Sequence, residues 1–445
     1  MIERSIIASL KTWQNKPDRK PLLLFGARQV GKTWVLRHFG ETCFEYCAYF
    51  SLDEETHYAE IFQRTKDPLR IIEQLSFLTE KPIRPQTTLI ILDEIQACPE
   101  ALASLKYFCE KAPEYAVACA GSMLGLAVGH EGVSFPVGKV DHLDMYPLTF
   151  SEFLLARESR LYDYFMSIDS LSPLPQLFFE RLYEAFMAYR VCGGMPEAAS
   201  AMLDGDIPRV EEKLSNILKD YSLDFIKHTT PVMANKVSHI WRSLPSQLAK
   251  ENRKFIYQLV RPGARAREYE DALLWLKNAG LIYQVNLCRE PRLPLTAYDD
   301  LSIFKVYAND IGILRRLAGM EPSIYHAAAD QFKEFRGALT ENYILQSLIQ
   351  QFGNPLRYWS SGNKAELEFL VQHENEIIPV DVKAGTSVTS KSLSEYNKTF
   401  LPTLRLRFST RNLTLDDTLL NIPLFLADRT KDFIKIAVNV TRFAK

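Results

Sequence analysis

The segment Leu22-Leu23-Leu24-Phe25-Gly26-Ala27-Arg28-Gln29-Val30-Gly31-Lys32-Thr33 decides how this chain is read. A short apolar run predicts a buried strand, and the residues after it fit GxxxxGK[ST] where a strand gives way to a helix. Glycines let backbone N–H groups curl around phosphate oxygens, and the N-terminus of the following helix adds its positive dipole end. Lys32 would reach the β- and γ-phosphates of a nucleoside triphosphate and Thr33 would ligate Mg²⁺. The nucleotide-contacting set is therefore Gly26, Ala27, Arg28, Gln29, Val30, Gly31, Lys32, Thr33 and Trp34. A glycine-rich turn with no ligand is the competing reading.

A second segment weakens that competitor. Leu89-Ile90-Ile91-Leu92-Asp93-Glu94 is an apolar strand ending in two carboxylates. Asp93 would hold Mg²⁺ through water, and Glu94 would orient and polarise the attacking water. A further run, Ala116 to Ala120, ends in Gly121-Ser122, where the Ser122 hydroxyl could sense the γ-phosphate. The expected catalytic set is Lys32, Asp93, Glu94 and Ser122. From Pro21 to about Met145, the runs Leu22–Phe25, Cys47–Leu52, Thr88–Leu92, Ala116–Ala120 and Val140–Met145 alternate with helix-length segments, the βαβ rhythm of a parallel sheet.

Composition sets the frame around this core. At 445 residues the chain exceeds one hydrophobic core, so several domains are expected. With 47% hydrophobic and 24% charged residues it reads as globular, and a formal net charge of -1 gives no global basic footprint for nucleic acid. Seven cysteines without a CxxC pair predict buried thiols in a reducing compartment, and the eight histidines show no metal-like spacing. No run approaches the ~18 consecutive apolar residues of a spanning helix. No signal-peptide pattern follows Met1 either, so a cytoplasmic protein with no membrane partner is expected.

Beyond the core, Leu161 to about Tyr221 is apolar at helical spacing, broken at Asp204–Pro208. Ala272, Leu273, Leu276 and Ala279 share one helical face, Gly280 is a C-cap candidate, and Leu281–Leu287 is β-like. Helix, turn and strand in that order suit a winged-helix module, and Pro291 and Pro294 mark a linker. A helix-like Phe335–Phe352 and strand-like Leu367–Val371, Ile377–Val382 and Leu404–Phe408 then predict another α/β unit. The expected division is residues 1–204, an ATPase core with a helical extension; 205–298, a helical or winged-helix region; and 299–445, an α/β domain.

FGARQVGKT, ILDEIQ, the CAGS strand end, YPLTFSEF at Tyr146–Phe153 and CGGMPE at Cys192–Glu197 together resemble the bacterial and archaeal AAA-like ATPases that carry a DUF4143 domain. The resemblance implies an additional-strand P-loop core that binds ATP and Mg²⁺, with Gly194 and Pro196 closing over the adenine. Where such proteins usually have arginine in the segment Pro136–Val140, this chain has Lys139, which keeps the charge and loses the guanidinium fork.

Toward the C-terminus, Glu341 falls in a helix-like segment, Glu368 in one strand, and Asp381 and Lys383 on one face at the end of the next. Carboxylates converging on Mg²⁺ beside a lysine can generate hydroxide and stabilise a pentavalent phosphate. This is the layout of the PD-(D/E)xK nucleases, and by resemblance Glu341, Glu368, Asp381 and Lys383 take its acid, acid and acid-x-Lys positions. Relatives usually have Asp where this chain has Glu368, and Glu where it has Asp381. Basic residues gather at Lys250, Arg253, Lys254, Arg261, Arg265 and Arg267, and at Arg405, Arg407 and Arg411, where DNA phosphates could bind or the charges could simply be solvated. Three functions remain open: an ATP-hydrolysing switch or motor controlling a nuclease-like domain, with DNA as one candidate partner; a nucleotide-gated module whose inactive nuclease fold binds a protein partner or a second copy; and an ATP-regulated nuclease.

Overall fold

A computed structural model describes residues 2–54, 56–121, 135–250, 253–325, 333–353, 355–362, 365–385 and 389–443. Two compact units emerge: Glu3–Pro147 with Asn278–Leu281, and Leu148–Lys277 with Ile282–Lys445 and Met1–Ile2.

The first unit runs α1 (Ile6–Gln14), β1 (Leu22–Phe25), α2 (Lys32–Cys43), β2 (Tyr46–Ser51), α3 (Thr56–Arg64), α4 (Pro68–Phe77), β3 (Thr88–Asp93), α5 (Pro99–Lys111), β4 (Ala116–Ala120) and β5 (Asp141–Asp144). All the strand runs expected between Pro21 and Met145 are strands. They form a 5-stranded sheet in the order β2-β3-β4-β1-β5, every pair parallel. β4 thus lies between the strand that leads into the phosphate loop and the strand that ends in Asp93, as the additional-strand reading requires. β3 and β4 are buried along their whole length, which is why they read as unbroken apolar runs. Leu23, Phe50, Ile90, Leu92, Leu105, Phe108 and Val117 belong to the core that fixes these strand ends.

The second unit opens with helices: α6 (Phe150–Arg157), α7 (Ser159–Ser167), α8 (Gln176–Cys192), α9 (Pro196–Leu203), α10 (Ile207–Lys227), α11 (Pro231–Leu248), α12 (Tyr257–Val260) and α13 (Ala266–Asn278). There follow β6 (Ile282–Cys288), β7 (Asp299–Ala308), α14 (Ile311–Leu317), α15 (Lys333–Phe352), β8 (Arg357–Ser360), β9 (Glu366–His373), β10 (Glu376–Val382), α16 (Lys391–Phe400), β11 (Arg405–Ser409), β12 (Thr414–Asp416), β13 (Leu419–Pro423) and α17 (Thr430–Phe443). The strands make one mixed 8-stranded sheet in the order β12-β13-β11-β10-β9-β8-β6-β7.

This topology corrects two expectations. Helix, turn and β6 occur in the expected order, but β6 pairs parallel with β8 and antiparallel with β7 inside the large sheet, so it is not the wing of a separate module. For the same reason no boundary falls at 298/299: Cys288 and Leu295 share a core with Trp359, Leu367, Leu370 and Tyr396. The helical segment after Leu148 likewise packs with the second unit rather than extending the first.

The cysteines are all free; Cys98, Cys119, Cys192 and Cys288 are buried, whereas Cys43, Cys47 and Cys109 are partly exposed. No described helix is long and apolar enough to cross a membrane.

Candidate nucleotide site and C-terminal polar cluster

The phosphate loop is shaped by its glycines. Gly31 caps α2 in the left-handed region at φ 95° and Gln29 stands at φ 64°. Alternating conformations of this kind turn successive N–H groups toward one concavity. Gly26 answers a different need, because a Cβ there would lie 2.3 Å from the Met145 carbonyl oxygen at the end of β5. Arg4 supplies a brace that sequence patterns did not reveal: 5% exposed, it donates to the Val30 carbonyl at 2.8 Å and to the Tyr146 carbonyl at 2.7 Å. Trp34 stacks on His38 one turn along α2, with ring centroids 4.9 Å apart.

Lys32 is buried and donates to the Gly26 and Ala27 carbonyls, both at 2.9 Å. Burial pushes its ammonium down to about 8, against the pull of Glu94 and Asp93. Thr33 Oγ1 donates to Asp93 Oδ2 at 2.7 Å, joining the helix start to the end of β3. Tyr49 on β2 donates to the same oxygen at 2.9 Å, and the Glu94 N–H donates to Asp93 Oδ1 at 3.0 Å. Burial, then the Asp93 charge, raise the Tyr49 phenol above its ordinary range, so it stays a donor. Glu94 sits in the left-handed region at φ 48°, uncommon for a residue with a side chain and typical of functional strand ends. Its Oε2 accepts from Gln96 Nε2, so the glutamine of ILDEIQ holds the glutamate. Lys139 pairs with Glu110 on α5 at 2.9 Å. Ser122 lies outside the described residues.

Two of the motifs that carried the family resemblance meet inside the second unit. Thr149 and Glu152 of PLTFSEF form a reciprocal capping box on α6, and Asp428 accepts from the Ser151 N–H at 2.8 Å. Burial pushes Asp428 up to about 6. Gly194 of CGGMPE accepts from the Leu148 N–H at 2.7 Å and donates its own N–H to Asp310 at 2.7 Å. Gly193 is at φ 68°, and a Cβ there would lie 2.2 Å from Asp310 Oδ1. Pro196 starts α9 at a position where its missing N–H costs nothing. These contacts give the GGMP segment a packing role of its own within this unit.

On the large sheet, α15, which carries Glu341, packs against β9 and β10. Glu368 accepts from the Val382 N–H at 3.0 Å, and Lys383 donates to Asp381 Oδ1 at 2.8 Å. Asp381 is fully buried and its Oδ2 has no hydrogen-bond partner. Burial, and then the Asp381 charge, push Glu368 up to about 7. Glu341 is held differently: Arg253 donates to its Oε1 and Tyr307 to its Oε2 at 3.4 Å. Lys305, fully buried, pairs with Glu366 at 2.5 Å and lies 4.6 Å over the Tyr358 ring. Among the described residues no three His, Cys, Asp or Glu side chains gather as a metal-holding group. Glu368, Asp381 and Lys383 thus come together, while Glu341 is engaged by Arg253. Sequence patterns missed Tyr307 and Lys305, and they placed Arg253 only among surface cations.

The basic segments fare unequally. Arg261, Arg265 and Arg267 are exposed, whereas Arg405 bonds Thr418 at 2.8 Å and Arg407 bonds Asn421 at 2.9 Å.

Residues 18–154 match the family described as AAA domain, residues 183–324 a domain of unknown function, DUF8612, and residues 336–425 another, DUF4143. No curated protein matches the chain. Among solved structures it is similar to the Walker-type ATPase PABY2304 of Pyrococcus abyssi, at 16% identity over 71% of this chain and 96% of that one, with a TM-score of 0.44. It is also similar to the Aeropyrum pernix ORC2 protein in its ADPNP–ADP complexes, at 14% identity over 72% and 93% with a TM-score of 0.35. The Aeropyrum pernix ORC1 protein in complex with DNA matches at 14% identity over 72% and 92%, with a TM-score of 0.27. Likenesses this distant carry no argument about ligand or partner.

Proposed function

Because the chain belongs to the bacterial and archaeal AAA-like P-loop ATPases in which an AAA domain precedes a DUF4143 domain, we propose that it binds ATP with Mg²⁺, hydrolyses it slowly, and uses the nucleotide state as a switch. One observation carries the reading: the phosphate loop, Lys32, Thr33 and Asp93 are assembled in hydrogen-bonding contact, with Glu94 beside them. Loop N–H groups from Gly26 to Trp34 would cradle the phosphates, and Lys32 would exchange its two carbonyl contacts for β- and γ-phosphate oxygens. Thr33 and Asp93 fit a hard cation, since a hydroxyl and a carboxylate from adjoining elements already share one point; Mg²⁺ there would neutralise charge on the phosphates. Glu94 would accept a proton from the water that attacks the γ-phosphorus as the bond to the leaving ADP oxygen breaks.

Calorimetry with ATP and a phosphate-release assay test this. Lys32→Ala should abolish turnover and weaken binding, whereas Glu94→Gln should keep ATP bound while turnover falls ~100-fold. Unchanged turnover in both variants would refute the assignment. Ser122 as γ-phosphate sensor and Gly194 and Pro196 as adenine contacts remain proposals from sequence, each to be read as a rise in Kd for ATP on substitution by alanine.

The switch acts, in this reading, through Asn278–Leu281. This turn packs with the nucleotide unit, where a Cβ on Gly280 would lie 3.2 Å from the Ala27 backbone nitrogen of the phosphate loop. The same turn is the covalent link from α13 to β6 of the large sheet. A second reading, a nuclease-like domain acting on DNA, is favoured by the buried, unpartnered Asp381 Oδ2 beside Glu368 and Lys383. Plasmid nicking in Mn²⁺, lost in Asp381→Asn, would support it; no nicking favours a cluster that serves interaction with a protein partner or a second copy.

A further inference from the structure

The ILDEIQ strand end carries one polar side chain that the phosphate chemistry leaves without a task. Gln96 lies, partly buried, in the single 3-10 turn Ile95–Ala97 that follows Glu94. That turn is pinned: the Ala97 N–H donates to the Glu94 carbonyl at 2.9 Å, the Cys98 N–H donates to the Ile95 carbonyl at 3.1 Å, and Ile95 is fully buried. The Leu52 N–H donates to the Asp93 carbonyl at 3.1 Å and ties the strand end to the segment after β2. From this platform Gln96 Nε2 reaches back to Glu94 Oε2. A carboxylate only accepts, so the amide nitrogen faces it and the amide oxygen turns away. That oxygen is buried and has no hydrogen-bond partner among the described residues.

A buried acceptor without a donor lowers stability, and a methionine of similar length would fill the same space without leaving one. What the amide supplies, and an apolar side chain cannot, is the hold on Glu94. Glu94 needs such a hold, because its backbone is left-handed at φ 48° and its carboxylate ends a flexible side chain. The charge so held acts toward the phosphate loop: burial lowers the Lys32 ammonium, and Glu94, ahead of Asp93, pulls it back up. We propose that Gln96 is a positioning residue for ATP hydrolysis, whose amide fixes the Glu94 carboxylate in the attitude that receives the proton of the attacking water. The amide itself gives up no proton and touches no nucleotide. This rests on the reading of the nucleotide site given above.

The test is single-turnover hydrolysis of ATP by the full chain in excess, with calorimetry for ATP binding and thermal melting beside it. Gln96→Met should leave Kd for ATP within about twofold while the rate of hydrolysis falls about tenfold. Its Tm should be unchanged or higher, since the orphaned acceptor is gone. In a Glu94→Gln background the same substitution should slow hydrolysis no further, because the group it acts through is already lost. A normal rate in Gln96→Met beside a lowered rate in Glu94→Gln would overturn the brace and leave the ATPase reading standing. Equal losses in the two backgrounds, or a rise in Kd as large as the fall in rate, would also overturn the brace. If neither Gln96→Met nor Glu94→Gln alters the rate, the ATPase assignment fails and the brace with it. Should methionine disturb folding, Gln96→Glu keeps the shape of the side chain and sets a second carboxylate against Glu94. It should slow hydrolysis at least as much, and an unchanged rate there would overturn the proposal on its own.

Discussion

Lys32 concentrates the physics of the nucleotide site in one side chain. Burial holds its ammonium at about 8, so at pH 7 it is charged and above pH 8 it is largely neutral. Phosphate contact favours the charged form, so binding should take up a proton on the alkaline side. ATP affinity should therefore be flat below pH 8 and weaken by about tenfold per pH unit above it, provided only the charged form binds. Calorimetry in buffers of different ionisation enthalpy checks this, and a flat Kd from pH 7 to pH 10 would rule it out. Asp428 gives a second pH signature. Its folded value, about 6, is raised above the ordinary 3.8 by burial, so the folded state holds a proton that the unfolded state has lost between these values. Stability should then fall as pH rises from 3.8 toward 6 and level off above that, a slope that Asp428→Asn should flatten in urea melts at successive pH values.

At the scale of elements, some segments announced themselves and others did not, for identifiable reasons. β1, β3 and β4 were legible because strands of a parallel sheet are covered on both faces and become plain apolar runs. β7 was not: its Asp-Asp-Leu-Ser start is partly exposed, and the prolines before it, Pro291 and Pro294, read as a linker. What makes it a strand is its antiparallel pairing with β6, a non-local fact that no window of sequence contains. The role of Arg253 was hidden similarly, since its partner Glu341 stands far along the chain. By contrast the Thr149–Glu152 capping box was there to be read as T-x-x-E, although the segment served only as a mark of family. Thr149→Ala should cost about 1 kcal/mol in urea unfolding. Gly193→Ala should cost about 2 kcal/mol or more, because its Cβ would meet Asp310 and its φ of 68° is strained for any side chain. If Gly193→Ala melts like the unsubstituted protein, the close crossing of GGMP with the start of α14 is not as tight as described.

At the scale of the molecule, the division of labour follows from which strands share a sheet. The proline-rich segment suggests a boundary at residue 298, yet a cut there would fall between β6 and β7, and β7 has β6 as its neighbour in the sheet order. A fragment of residues 299–445 would leave β7 unpaired, turn β8 into an open edge, and strip Cys288 and Leu295 from the core around Trp359 and Leu367. Open apolar edges invite association between chains. Residues 148–445 keep all eight strands together with the capping box, Asp428 and the Gly194–Asp310 contact. We expect the longer fragment to melt cooperatively and to resist limited proteolysis. The shorter one should aggregate or show no cooperative transition by circular dichroism, even though it contains the whole of the DUF4143 match. A cooperative melt of residues 299–445 at the Tm of the longer fragment would show that the β6–β7 pairing is dispensable, and with it the single-sheet account of how Tyr307 on β7 is held against Glu341 on α15.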